Sequence, residues 1–233
     1  MTKLHLKRLN APITWNIKKK ENAFIMRPNA SGHKMINAMP LSVLFKDILN
    51  LAKTTKEVKD IVNNKEIIVD GKRRKNVAYA VGLMDVVECV DINKVFRLLI
   101  NKKGKLIAQE IDSKEKDLKP LKIINKTVVK KGKMQLNCSD GRNIFVEKND
   151  YKTNDVIVVN IKENKITDHL KCVKGNYVYI IGGKYVGKQG VVETVDSESV
   201  AFKTKNGEFI ETAKRYMFII GKEKPCIKLP DKD

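Results

Sequence analysis

Apolar positions in the first third of the chain recur with a helical period and then with a strand period. Leu41, Leu44, Phe45, Ile48, Leu49 and Ala52 fall at three- and four-residue steps. That spacing predicts a helix over 41–52 with one buried stripe. Pro40 stands just ahead, where a proline opens a helix without losing a needed donor. A second helix is expected from Thr54, because Thr54-Thr55-Lys56-Glu57 fits a capping box. Val58, Ile61 and Val62 form its apolar side, and Asn63-Asn64 is placed to end it. Ile67-Ile68-Val69 reads as the centre of a short strand over 66–70, and Asp70-Gly71 as a tight turn. Lys72-Arg73-Arg74-Lys75 follows as a run of four cations, and Val81 to Val87 as a glycine-bounded corner entering a second apolar strand.

From residue 92 the period is that of strands. Val95 to Ile100 and Lys105 to Ala108 flank a turn at Asn101-Lys102-Lys103-Gly104, which predicts a hairpin. Residues 113–119 are charged and read as a helical turn or loop. Further strands are expected over 122–125, 127–129, 133–137, 142–146 and 156–161, mostly separated by turns at Lys131-Gly132, Asp140-Gly141 and Glu163-Asn164. This rhythm suggests a small barrel or sandwich. A third unit, 174–221, holds strands near 177–181, 191–195, 200–204, 209–212 and 216–220. Residues 1–40 show no sustained period and are punctuated by Pro12, Pro28, Gly32 and Pro40. Residues 222–233 read as an extended tail.

Charge changes the picture more than composition does. The 233 residues are ordinary in hydrophobic content, 42%, but carry a net charge of +20. Such an excess favours a polyanionic partner. It is densest in residues 1–40, where eight Lys or Arg face a single acid, Glu21. A basic arm of this kind commonly orders on a nucleic acid, and Trp15, Phe24 and Ile25 give it something to pack. No run of about 18 apolar residues predicts a membrane span, and residues 1–8 lack the pattern of a signal peptide. Cys89, Cys138, Cys172 and Cys226 are scattered without a Cys-x-x-Cys pair, which predicts reduced thiols in the cytoplasm and no zinc site. His5 and His33 have no further ligands at a sensible spacing, so no metal is expected.

Several stretches carry chemistry. A strand running into clustered Lys and Arg is a rigid platform for phosphate. Lys72, Arg73, Arg74 and Lys75 are therefore candidate RNA contacts, with Lys46 on the preceding helix and Arg142 on a later turn. In the arm the candidates are His5, Lys7, Arg8, Trp15, Arg27, His33 and Lys34. Gly182-x-x-x-x-Gly187-Lys188 nearly matches a phosphate-binding loop. Gln189, however, replaces the hydroxyl that would hold magnesium, and β-formers follow where a helix is needed. The same residues resemble the KOW motif, a glycine-pinned strand-turn-strand in a small SH3-like barrel, with Lys184 and Lys188 as its candidate RNA contacts. Basic residues at other turns (Lys102, Lys103, Lys130, Lys131, Lys133) are each more simply read as protecting strand edges.

The helix pair with Ile67-Ile68-Val69-Asp70-Gly71-Lys72 and Gly82-Leu83-Met84-Asp85-Val86-Val87 resembles the S-four RNA-binding module. Two residues separate Gly82 from Asp85, which in that module more often adjoin. Together with His5-Leu6-Lys7-Arg8-Leu9-Asn10-Ala11-Pro12, Arg27-Pro28, His33-Lys34, Asp140-Gly141-Arg142-Asn143 and Gly182-Gly183, the order of units resembles the small-subunit ribosomal protein family S-four-e, and Asn125-Lys126-Thr127 with Lys133 to Asn137 its archaeal branch. The resemblance implies an α+β multidomain chain. Its parts are a basic arm (1–40), an S-four-type module of two helices on a small sheet (41–91), a β-rich, barrel-like centre (92–173), a KOW SH3-like barrel (174–221) and a tail (222–233).

The resemblance further implies a non-catalytic component of the small ribosomal subunit. Its partners are ribosomal RNA and neighbouring ribosomal proteins, with no membrane, cofactor or small-molecule substrate. Aromatic content is only 6%, which favours recognition of folded RNA by shape and backbone over base stacking. An RNA-modifying enzyme is the competing class. Asp140 and Asp155 sit by turns, Asp168-His169 has no nucleophile placed beside it, and no segment is left for a catalytic domain. A free regulator of translation or transcription is the remaining alternative.

Overall fold

The computed structural model describes residues 5–129, 132–147, 150–204 and 206–230. Lys130 and Lys131, read as turn cations, lie outside them. The fold is mostly β with few helices, and it divides into two compact units. One runs to Leu99 and takes back Lys105–Asp117. The other comprises Ile100–Gly104 and the chain from Leu118 onward.

In the first unit, β1 (His5–Lys7) pairs antiparallel with β2 (Phe24–Met26), a small hairpin that the aperiodic arm did not announce. β3 (Ala38–Pro40) leads into α1 (Leu41–Val43), which continues as a π-helical turn over Leu44–Ile48. The helix expected to reach Ala52 therefore stops four residues early. Asn50 adopts φ 52°, and an asparagine in that left-handed conformation ends a helix.

After it, α2 (Thr55–Asn64) begins on the expected capping box: Glu57 N–H donates to Thr54 Oγ1 at 3.2 Å, and the Thr54 hydroxyl donates to Glu57 Oε1 at 3.0 Å. The Lys53 N–H and then the Thr54 hydroxyl hold the Glu57 carboxyl below its usual range. Val58 and Val62 are fully buried.

Then come β4 (Ile67–Val69), β5 (Lys72–Arg73), β6 (Ala80–Gly82), β7 (Val86–Cys89), β8 (Lys94–Ile100) and β9 (Leu106–Ile111). β6 pairs with β3, and the others form a sheet in the order β5-β4-β7-β8-β9. The Asp70-Gly71 turn has both residues at positive φ, 48° and 70°, as a two-residue hairpin demands.

The second unit holds two five-stranded antiparallel sheets. The first comprises β10 (Leu118–Val128), β11 (Met134–Cys138), β12 (Asn143–Val146), β13 (Val156–Asn160) and β14 (Lys165–Leu170), in the order β12-β11-β10-β13-β14. β10 is one long strand where two were expected. A register shift between Ile123 and Asn125 lets its first half pair with β13 and its second with β11. It also begins inside the stretch read as a loop, and β14 was not foreseen. Leu121, Ile123, Leu136, Cys138, Ile157 and Val159 make the core of this sheet.

The other sheet comprises β15 (Tyr177–Ile180), β16 (Gln189–Val195), β17 (Ser199–Thr204), β18 (Phe209–Ala213) and β19 (Met217–Gly221), in the order β18-β17-β16-β15-β19.

The KOW glycines are used as expected. Gly183 and Gly187 have φ of 79° and 77°. A Cβ on Gly187 would lie 2.5 Å from the backbone of Asn101 and Lys102, the tip of the β8–β9 hairpin. Left-handed strain of ~1–2 kcal/mol and an overpacking cost of ~1–3 kcal/mol then add. Gly187→Ala is expected to destabilise the second unit by about 3 kcal/mol, read as a lowered denaturation midpoint. A change under ~1 kcal/mol would show that this contact has slack. Close by, the Tyr179 hydroxyl donates to the Ile100 carbonyl and accepts from the Ile100 N–H at 3.1 Å. Burial pushes that phenol well above its ordinary value.

A second internal tie is a cation. Lys122 Nζ donates to the carbonyls of Lys214, Arg215 and Met217 at 2.8, 3.1 and 2.7 Å, joining β10 to the entry of β19. Burial lowers its pKa to about 8. Below pH 8 the ammonium is charged in both states, and the folded state carries the whole burial cost. Between about 8 and 10.5 the unfolded chain binds more protons, so this group adds stability as pH rises. The buried thiols Cys89 and Cys138, pushed up to about 11 and 12, act in the opposite direction. The difference between the wild type and Lys122→Met isolates the lysine, and it should move in favour of the wild type by up to ~3 kcal/mol across that window. A flat difference in alkaline urea melts would contradict the shift.

Candidate nucleic-acid interface

The turn after β4 presents its cations on a braced support. Asp70 Oδ1 accepts from Val86 N–H at 3.1 Å, and Asp70 N–H donates to the Val86 carbonyl at 3.0 Å. The start of the turn is thereby tied to β7, which pairs with β4, and β5 pairs with β4 on its other edge. Lys72, Arg73 and Lys75 are exposed, and Arg74 is half-buried. The Arg74 guanidinium lies over the Tyr79 ring at 4.3 Å, a cation–π contact that orients it. Three exposed cations and one oriented by an aromatic ring suit a phosphate backbone, whose negative charge is closely spaced and uniform.

The Gly82-x-x-Asp85 spacing has a structural cause. A Cβ at Gly82 would fall 2.2 Å from the His33 ring, so only glycine lets the imidazole sit there. Asp85 holds that ring, Oδ1 to His33 Nε2 at 3.0 Å, while its Oδ2 accepts from Gly82 N–H at 2.7 Å. His33 thus locks the arm onto the corner between β6 and β7.

This placement corrects three direct-contact expectations. The His33 side chain is only 9% exposed. Arg8 is buried: its guanidinium donates to Asp47 Oδ1 at 2.7 Å and to the Lys18 carbonyl at 2.5 Å, and reaches Glu21 Oε2 at 3.4 Å. Trp15 is wholly buried, and its Nε1–H donates to the Ala38 carbonyl at 2.8 Å. Arg8 and Trp15 are enclosed and cannot meet a phosphate, and the His33 ring is taken up by Asp85. These three fold the arm onto the first unit, leaving His5, Lys7, Arg27 and Lys34 exposed on its outer side. His5 packs edge-on against the exposed Phe24 ring. Lys46, half-buried, lines a cleft of about 300 Å³ with His5 and Phe24.

In the second unit, Lys184 is exposed and Lys188 half-buried, each 5.5 Å from the Tyr185 ring. Lys188 also pairs with Glu208 at 2.9 Å. Arg142 is half-buried and its Nε reaches Asp140 at 3.0 Å. The same carboxylate meets the buried Lys119 at 3.2 Å, which accounts for Asp140 and Arg142 in the Asp140-Gly141-Arg142-Asn143 motif. Lys119 and Lys122 are interior cations that sequence reasoning missed, since nothing in a strand-period lysine marks it as buried. Among the described residues no group of His, Cys, Asp and Glu is placed to hold a metal ion, and no helix is long and apolar enough to cross a membrane.

Four family models match successive parts of the chain: the RS4NT domain over residues 2–36, the S4 domain over 47–87, the ribosomal family S4e over 92–166 and the KOW motif over 174–202. Small ribosomal subunit protein eS4 of Methanosphaera stadtmanae is 42% identical over 231 residues, covering 97% of this chain and 95% of its own. The protein of the same name from Methanocaldococcus jannaschii is 38% identical over 240 residues, covering 97% and 98%. The crystal structure of 30S ribosomal protein S4e from Thermoplasma acidophilum superimposes with a TM-score of 0.70 at 28% identity, over 79% of this chain and 95% of that one. With near-full-length identity at this level and matching models from the arm to the KOW motif, the chain belongs to the ribosomal S4e family.

Proposed function

We propose that this protein is a structural, non-catalytic constituent of the small ribosomal subunit and binds its ribosomal RNA. Family membership supports the ribosomal role, since the relatives are named as small-subunit proteins. The observation that carries the RNA reading is the run Lys72–Lys75 on a turn braced by Asp70. The contacts are Lys72, Arg73, Arg74 and Lys75 in the S4-type module and His5, Lys7, Arg27, Lys34 and Lys46 around the folded arm. Lys184 and Lys188 on the KOW loop, with Arg142, extend them. Arg8, Trp15 and His33 serve by holding the arm in shape.

In this reading the chain is divided functionally into the arm (1–40), the S4-type module of two helices on a small sheet (41–91), the β-rich centre (92–173), the KOW barrel (174–221) and the tail (222–233). The protein works in the cytoplasm, on the ribosome, among neighbouring ribosomal proteins. Filter binding of the full chain to transcribed small-subunit RNA tests it. About eight neutralised phosphates give a log–log salt slope of about −6, or several powers of ten in affinity over a few-fold rise in salt. A slope near zero would contradict phosphate contact as the source of affinity.

A further inference from the structure

Beside the cationic turn lies a cavity of about 630 Å³ that the phosphate-contact reading leaves unused. Its walls come from the arm on one side and the segment after Lys75 on the other. The two walls are tied where Asn29 N–H donates to the Ala78 carbonyl at 2.8 Å, and within the second wall Asn76 Oδ1 accepts from Ala78 N–H at 2.9 Å. Met26, Met35 and Val77 supply apolar surface, and the small Ala38, Ala78 and Ala80 keep the space between them open. Asn29, Ser31 and Asn76 bring amide and hydroxyl groups to the lining. The cations there are Arg27 and Lys59, the His33 ring also lines the cavity, and no carboxylate is among the described lining residues. The size is that of a small-ligand site.

An unstacked nucleotide needs an apolar slot for the faces of its base, donors and acceptors for the base edge, and cations for its phosphate. This cavity offers all three, and its lining includes Asn76, the residue that follows the run Lys72–Lys75. We propose that it receives one unpaired, extruded nucleotide of the same ribosomal RNA that those cations hold. Val77 and the methionines would flank the base, Asn29, Ser31 and Asn76 would meet its edge, and Arg27 and Lys59 would face its phosphate. This rests on the RNA-binding reading above and adds base-level recognition to a surface otherwise built for backbone.

The test is chemical probing of Watson–Crick edges in transcribed small-subunit RNA, with and without the full chain. Wild type should protect one unpaired base within its footprint. Ala78→Phe fills the cavity while leaving both backbone ties of residue 78 in place. With it, that base should regain its free reactivity while the surrounding footprint persists, and affinity should fall about tenfold. Lys59→Gln changes an exposed helical surface position and cannot disturb the core. It should lower affinity about threefold and partly deprotect the same base, which decides the matter should the Phe variant fold poorly. Protection unchanged in both variants would overturn the inference while leaving the RNA reading intact. Absence of any footprint from wild type would overturn both. Cavity-dependent binding of free nucleoside monophosphates without a protected RNA base would assign the cavity to a different ligand and overturn it too.

Discussion

Replacing Lys72, Arg73 and Lys75 together by glutamine is expected to weaken binding to small-subunit RNA about a hundredfold at moderate salt and to flatten the salt slope by about 2. All three side chains are exposed, so the substitutions remove charge without opening the core, and the thermal midpoint should stay within about 2 °C. Arg74 is left in place because it lies over Tyr79 and its Nε is buried; changing it would mix folding with binding. The same number of exposed lysines neutralised in the second unit, Lys165, Lys174 and Lys222, should cost far less. A triple variant that binds as the wild type does would move the interface away from the β4–β5 turn.

Trp15→Ala should produce the largest stability loss of any arm substitution, about 3–5 kcal/mol. The indole is wholly enclosed, and its one polar atom is satisfied by the Ala38 carbonyl immediately before the first helix. Truncation removes the packing and strands that carbonyl. Trp15→Phe restores much of the volume and should recover more than half of the loss. Both are read from chemical denaturation of the free protein. A cost for Trp15→Ala below ~1 kcal/mol would mean that the arm is not held on the first unit in the absence of RNA. Because the arm carries the outer cations, the alanine variant should also lose RNA affinity, and the phenylalanine variant should regain it.

What the sequence announced follows from how local each signal is. The second helix, its capping box, the Asp70-Gly71 turn and the KOW glycines were all legible, since each is decided by residues within a few positions of one another. The first helix was read four residues too long because apolar spacing continued past Asn50, whose left-handed backbone ends the helix. β14 was missed because Lys-Ile-Thr-Asp-His-Leu is polar over most of its length and is defined by its pairing with β13. β10 was split in two because a mid-strand register shift looks like a break in one dimension.

The candidate site shows the same limit in another form. Basic residues of the arm were read as one class, yet Arg8 and Arg27 differ completely. Arg8 finds Asp47 thirty-nine residues away, while Arg27 stays exposed. His33 and Gly82 explain each other only once they are in contact. Likewise part of the chain's net positive charge is not offered to a partner, since Lys119 and Lys122 are spent inside. Net charge pointed to the kind of partner. Which cations meet it is a question of burial.

The central claim, a structural constituent of the small subunit, is tested most directly by sedimenting cell lysate through a density gradient and quantifying this chain in each fraction. The account predicts one copy per small subunit in the small-subunit peak, retained at moderate salt and released only at high salt, as multiple phosphate contacts require. A chain confined to the light fractions at moderate salt would contradict it and favour a free RNA-binding regulator.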